Sequence, residues 1–162
     1  MSGPLSASNA HLVGVISDTH GLLRAGALAA LAGCERIVHA GDVGSPDVLA
    51  RLAAIAPVTA VRGNVDVEQW ARELPETAAV EIGGTWIFVI HDLSRLDLDP
   101  AAAGFAVVIS GHSHRPEART EGGVLFLNPG SAGPRRFRLP VGLARLHIDD
   151  RGLRPEFVEL EP

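Results

Sequence analysis

Val13-Gly14-Val15-Ile16-Ser17-Asp18-Thr19-His20-Gly21 is a short apolar run that breaks into a polar turn. An uncharged strand of this kind belongs in a sheet covered on both faces. The turn presents an Asp and a His two residues apart, where a strand gives way to a loop. Sites are often mounted there, because the sheet holds one residue rigid and the loop frees the next. Asp-x-His alone is a weak signal, and a surface turn explains it equally well. Its weight depends on whether other strands end the same way.

They do. Residues 24–32 are strong helix formers closed by Gly33. Residues 35–40 predict a second strand, which runs into Gly41-Asp42. Ser45 and Pro46 suit a helix start, and apolar spacing of three and four from Asp47 to Ile55 predicts an amphipathic helix that Pro57 ends. Residues 58–61 predict a third strand, followed by Arg62-Gly63-Asn64-Val65-Asp66. Strand, helix, strand, helix, strand implies a parallel sheet with right-handed crossovers. All three polar clusters then fall at the carboxyl ends of strands, where open α/β sheets place their sites.

From residue 78 the texture changes. Residues 79–82 and 85–90 read as a hairpin about Gly83-Gly84, its second strand ending at His91-Asp92. Residues 94–103 read as a short helix or loop. A buried strand over 105–110 runs into Gly111-His112-Ser113-His114. Residues 117–120 and 124–127 form another hairpin, Asn128-Pro129-Gly130-Ser131 a tight turn, and 142–148 with 153–160 two final strands. The hairpin-rich half suggests a second sheet packed on the first.

The chain totals limit the function. At 162 residues the chain is expected to be one domain over 11–162, preceded by a flexible tail over 1–10. Hydrophobic content of 46% with 20% charged residues describes a globular protein, not a disordered one. A net charge of -5 argues against strong nucleic-acid binding, which favours a basic surface. The apolar runs are strand-sized, so no membrane span is expected. The opening residues lack a basic and apolar leader pattern, and the single Cys34 cannot form an intramolecular disulfide. A cytoplasmic location is the expectation.

Five strand ends thus carry Asp18 and His20, Asp42, Asn64, His91, and His112 with His114. Singly, each has a mundane reading as a cap, a turn residue or a core histidine. Alternation along a strand would point His112 and His114 the same way. Five successive strand ends bearing ligand-type residues are hard to explain as turns.

In this order, Asp-x-His, Gly-Asp, Gly-Asn and Gly-His-x-His resemble the calcineurin-like metallophosphoesterase superfamily, in particular its small bacterial and archaeal phosphodiesterase branch. Asn128-Pro129-Gly130-Ser131 with Pro134-Arg135 is similar to that branch as well. The resemblance implies a four-layer α/β/β/α sandwich of two mixed sheets flanked by helices. It implies one divalent metal on Asp18, His20, Asp42 and His114. A second metal would sit on Asn64, His91 and His112, with Asp42 bridging the two. Asp42, Asn64 and His112 would be catalytic. A site rich in imidazole favours Mn, Fe, Co, Ni or Zn over Mg or Ca, with Mn the leading expectation. Two divalent ions against two carboxylates and a bridging hydroxide leave a core of about +1, suited to a phosphate ester. The hydroxide, generated at neutral pH, would attack phosphorus.

Two positions depart from the family pattern. The residue after Asn64 is Val65, where relatives with strong phosphatase activity often carry a His that acts as general acid. His91-Asp92-Leu93 stands where His-Gly-His is common. A substrate with a good leaving group suffers least from a missing acid. Asp66 reads equally as a turn carboxylate or a group orienting a ligand. His39 reads as a buried strand residue. Arg115, Arg135 and Arg136 are candidates to meet a substrate anion, with a solvated face as the alternative. The leading function is a phosphodiesterase acting on a small phosphate ester. Alternatives are a phosphomonoesterase, a nucleotide pyrophosphatase, or a non-catalytic scaffold like the retromer subunit that shares this fold. Exposed hairpin edges would permit a homodimer.

Overall fold

The computed structural model describes residues 9–161. The tail expected over 1–10 lies outside the described residues up to position 8. The first half runs β1 (His11–Ile16), α1 (Ala25–Leu31), β2 (Arg36–His39), α2 (Pro46–Ala53) and β3 (Val58–Ala60). The second runs β4 (Thr77–Ile82), β5 (Thr85–Ile90), β6 (Val107–Ile109), β7 (Glu117–Glu121), β8 (Val124–Asn128), β9 (Gly142–Asp149) and β10 (Gly152–Glu159). α2 starts as its sequence dictates. The Ser45 hydroxyl accepts from the Asp47 amide at 3.2 Å, and Pro46 needs no donor in the first turn.

The strands make two mixed five-stranded sheets, ordered β10-β9-β1-β2-β3 and β4-β5-β6-β8-β7. β1, β2 and β3 are parallel, as the alternating strand and helix pattern implies. β5, β6 and β8 are parallel within the second sheet. The final hairpin does not join the second sheet. β9 returns to pair antiparallel with β1, from His11↔Ile148 to Val15↔Ala144. Nothing local to a hairpin specifies which sheet it will edge. Burial specifies it here, because Ala144, Leu146 and Ile148 complete the core between the sheets.

Alternation along β1 divides the interior. Val13 and Val15 face the second sheet, where they meet Val80, Ile87, Val89, Val107 and Ile109. Ile16 faces the helices and packs with Leu31, Leu52 and buried Cys34. On the far side of the second sheet, the outer layer is a single 3-10 turn, Leu93–Arg95, and the loop 96–105. Leu93, Leu96, Leu98 and Phe105 cover Phe88, Ile90 and Val108 there. Among the described residues, no helix is long and apolar enough to cross a membrane.

Because β1, β2, β3, β5 and β6 lie parallel within their sheets, their carboxyl ends gather on one edge of the sandwich. The loops are stitched together there. The Asp18 amide donates to the Gly41 carbonyl at 3.0 Å, His20 to Asp42 at 3.0 Å, and Gly111 to His91 at 2.9 Å.

Candidate metal centre

All seven residues singled out by the strand-end pattern meet at this edge. Asp18 is fully buried, and Asp42, His91 and His114 are nearly so. Each carboxylate has one oxygen tied down and the other aimed inward. Asp18 Oδ2 accepts from the Ser17 hydroxyl at 2.6 Å and the His112 amide at 3.1 Å. Its Oδ1 is left 3.3 Å from His114 Nε2 and 3.9 Å from both His20 Nε2 and His91 Nε2. Asp42 Oδ1 accepts from the Val65 amide at 3.0 Å, while Oδ2 lies 3.3 Å from His91 Nε2 and 3.8 Å from His20 Nε2. Val65 cannot donate from its side chain, yet its backbone orients Asp42.

The histidines are set in the same way. His91 Nδ1 lies 2.7 Å from the Ala40 carbonyl, which only accepts, so Nδ1 carries the hydrogen. Nε2 faces Asp42 Oδ2 at 3.3 Å and Asn64 Oδ1 at 3.1 Å. Burial pushes the His91 imidazole down, but its bond to Asp42 and the charges of Asp18 and Asp42 more than offset this and hold it above its usual range, so that a proton or a metal cation fits between these atoms. Second-partner fixing of an imidazole is how proteins prepare a metal ligand. His112 Nδ1 lies 3.3 Å from the same Asn64 oxygen, with the ring half exposed at the margin.

Three buried polar atoms here have no hydrogen-bond partner: Asp18 Oδ1, His20 Nε2 and His114 Nδ1. Leaving buried polar atoms unpaired costs about 1–3 kcal/mol each. Asp18, His20 and His114 form one group with ligand atoms within 4.8 Å of one another, and Asp18, Asp42 and His91 form a second. The two clusters are consistent with a two-metal site, and the imidazole-rich donor set fits a borderline transition metal. Burial pushes the His20 imidazole below its usual range, against the pull of Asp42 and Asp18. Burial pushes the Asp42 carboxyl up, but its bonds to His91 and the Val65 amide more than offset this and hold it well below the usual range.

The backbone is strained where the ligands sit. Among the described residues six non-glycine residues have φ in the left-handed region, and five of them are Asp18, His20, Asp42, His112 and His114. Such conformations cost of order 1–3 kcal/mol each and persist where surrounding contacts enforce them. His112 and His114 therefore reach the site through left-handed turns, not through the strand alternation expected of them. β6 has already ended at Ile109. The glycines before the ligands permit the close approach. A Cβ on Gly63 would stand 2.2 Å from Asp42 Oδ1, and one on Gly111 would stand 2.1 Å from Ser17 Oγ.

Asp66, read from the sequence as a turn carboxylate or an orienting group, holds the cage together with Ser131 and Asn128. Buried Asp66 accepts from the amides of Val43 at 3.1 Å, Gly44 at 3.0 Å and Gly63 at 2.9 Å. It clamps the loop after Asp42 to the loop bearing Asn64. The Ser131 hydroxyl donates to the Asp18 carbonyl at 3.0 Å, and the Asn128 amide nitrogen to Gly111 at 2.9 Å. These two belong to the quoted Asn-Pro-Gly-Ser run, the one pointer to them. Of the arginines, Arg136 is close enough for its charge to depress His20, and Arg115 and Arg135 are exposed. His11 and His147 pair with Glu35 and Glu156 at the opposite end of the strands.

His39 is fully buried and fully bonded. It accepts from the Gly41 amide through Nδ1 at 3.1 Å and meets the Thr19 hydroxyl through Nε2 at 3.0 Å. Burial lowers its pKa from 6.5 to about 4. As pH falls through 6.5, the unfolded chain takes up a proton here and the folded chain does not. Stability from this group is intact above pH 6.5 and is lost progressively down to pH 4, by about 3 kcal/mol in all. Urea unfolding at pH 7 and pH 4.5 is expected to show a smaller drop for His39→Gln than for wild type.

The pattern model of the calcineurin-like phosphoesterase superfamily domain matches residues 12–151, which include every ligand-type residue in the centre. The chain belongs to the calcineurin-like phosphoesterase superfamily. A protein of Methanothermobacter thermautotrophicus named a probable metallophosphoesterase is 36% identical over 159 residues, spanning 91% of each chain. The fold is shared with a structure described as a novel archaeal phosphodiesterase, with a TM-score of 0.78, 24% identity and coverage of 92% and 99%. It is shared too with Vps29 of Entamoeba histolytica in complex with zinc, with a TM-score of 0.67, 25% identity and coverage of 91% and 98%. A calcineurin-like phosphoesterase with a buried His and Asp cluster of this kind is a probable metallophosphoesterase, a phosphoric ester hydrolase.

Proposed function

We propose that this chain is a phosphodiesterase using two divalent transition metal ions. The observation that carries the reading is the convergence of buried ligand-type atoms: Asp18 Oδ1, His20 Nε2 and His114 Nδ1 have no hydrogen-bond partner, and Asp42 Oδ2 lies among them, 3.3 Å from His91 Nε2 and 3.8 Å from His20 Nε2. Asp18, His20, Asp42 and His114 hold one ion. Asp42, Asn64, His91 and His112 would hold the other, with Asp42 taken as the shared carboxylate on the family resemblance; its inward oxygen faces both His20 and His91, as does that of Asp18. When bound, the two ions supply Lewis-acid charge and a nucleophile at neutral pH. Mn is the leading choice, with Ni, Fe, Co and Zn compatible with the same donors.

The residues around the centre favour a diester over a monoester. The position after Asn64 offers only a backbone amide, so no side chain there protonates a leaving group. Asp92 adds negative charge beside His112, with its Oδ2 3.8 Å from His112 Nε2. A singly charged diester meets less repulsion there than a doubly charged monoester. The half-exposed His112 is placed to contact the substrate.

Zinc-bound Vps29 shows that this fold can hold metal, so metal content alone does not separate a hydrolase from a scaffold. Hydrolysis does. Protein stripped with a chelator and reloaded with Mn is expected to release 4-nitrophenol from bis(4-nitrophenyl) phosphate with higher kcat/KM than from 4-nitrophenyl phosphate. Reloaded protein inert on both esters would favour the scaffold, and a preference for the monoester would favour a phosphatase.

A further inference from the structure

A cavity of about 470 Å³ opens directly beside Asn64, His91 and His112. This is the size of a small-molecule site. Beyond those three residues its charged lining is Arg62, Glu76, Asp92, Arg95 and Asp97. Arg62 is already engaged, with its Nη2 3.3 Å from Glu76 Oε1. Asp92 is fixed by the Ser94 amide and hydroxyl at 3.0 and 2.8 Å, which turns its other oxygen towards the cavity and His112. Arg95 shares this lining with the carboxylates of Asp92 and Asp97. The basic group whose charge reaches the centre, Arg136, acts at His20, which belongs to the other cluster.

We propose that this cavity is the subsite for one ester arm of the substrate, and that it selects an uncharged or cationic alcohol over a group bearing a further phosphate or carboxylate. The assignment rests on the phosphodiesterase reading and deepens it. With phosphorus at the centre, an arm that turns past Asn64 and His112 enters a space where three carboxylates outnumber two guanidiniums. A second anionic group there meets net repulsion and finds one of its two potential partners already paired. A polyol accepts and donates hydrogen bonds to the same groups without that penalty, and an ammonium gains from them. Under this assignment a pyrophosphate substrate is disfavoured.

Calorimetry on the Mn-loaded protein tests this, with two ligands that share a phosphate anchor. Phosphocholine carries a cationic arm and 2-phosphoglycolate an anionic one. Wild type is expected to bind phosphocholine about fivefold more tightly, an effect sized for partly exposed charges. Asp97→Arg is expected to abolish or reverse that ratio, and Arg95→Glu to widen it. Equal affinities in wild type, tighter binding of phosphoglycolate, no binding of either, or a ratio unmoved by both variants would overturn the assignment. Wild type that prefers phosphocholine but cleaves no diester sinks the hydrolase reading and leaves the subsite. Wild type that cleaves bis(4-nitrophenyl) phosphate without the preference sinks the subsite alone.

Discussion

Asp42→Ala is expected to lose Mn affinity by more than about 100-fold, and diester hydrolysis with it. The size follows from position. Partners that merely orient a ligand are worth 10–100-fold in affinity. Asp42 stands closer than those, with its inward oxygen 3.3 Å from His91 Nε2 and 3.8 Å from His20 Nε2, between the two halves of the centre. Removing it leaves four imidazoles around Asp18 alone and halves the negative charge that opposes two divalent cations. Asp42→Asn is the sharper control, since it keeps the bond to the Val65 amide and removes only the charge. Calorimetric titration with Mn and release of 4-nitrophenol measure the two effects separately. Activity within tenfold of wild type in both variants would contradict a shared carboxylate.

Asp66→Ala is expected to destabilise the fold more than any other single change near the centre. Three backbone amides, of Val43, Gly44 and Gly63, donate to its two oxygens. Each buried amide left without an acceptor costs about 1–3 kcal/mol, so the loss is about 3 kcal/mol or more. For a chain of this size that lowers Tm by about 6–12 °C. Asp66→Asn keeps one carbonyl oxygen and is expected to fall between the two. Thermal unfolding followed by circular dichroism decides it, and a shift of less than about 2 °C for Asp66→Ala would show that water replaces the carboxylate. The same variant is expected to weaken Mn binding, because the clamp joins the loops that carry Asp42 and Asn64.

These two residues mark what could be read in the sequence and what could not. Asp42 was legible because its signal is local: an apolar strand, then Gly-Asp, in a chain that repeats the device at other strand ends. The parallel order of β1, β2 and β3 followed from the alternation of strands and helices. Asp66 was not legible as a clamp, because two of its three donors lie 22 and 23 residues away and are backbone groups. A hydrogen bond to an amide leaves no mark on the identity of the donor. The same holds for Ser17 and Ser131 around Asp18. β9 and β10 were legible as strands but not as an edge of the first sheet. That choice depends on filling the core between the sheets, a property of the whole packing.

The left-handed φ values at five of the seven proposed ligands give this arrangement a physical cost. A chain selected for stability alone would place glycine or asparagine there. The strained Asp and His residues, the buried atoms without partners and the glycines that let strand ends touch describe a site held open for something that the protein alone does not supply.

Metal stoichiometry, measured together with turnover, tests that account most directly. Protein stripped, reloaded with Mn and freed of excess ion is expected to hold two ions per chain by elemental analysis. Bis(4-nitrophenyl) phosphate hydrolysis should rise with occupancy and reach its maximum only as the second ion binds. Retention of one ion or none by the folded chain, or full occupancy without hydrolysis, would contradict it.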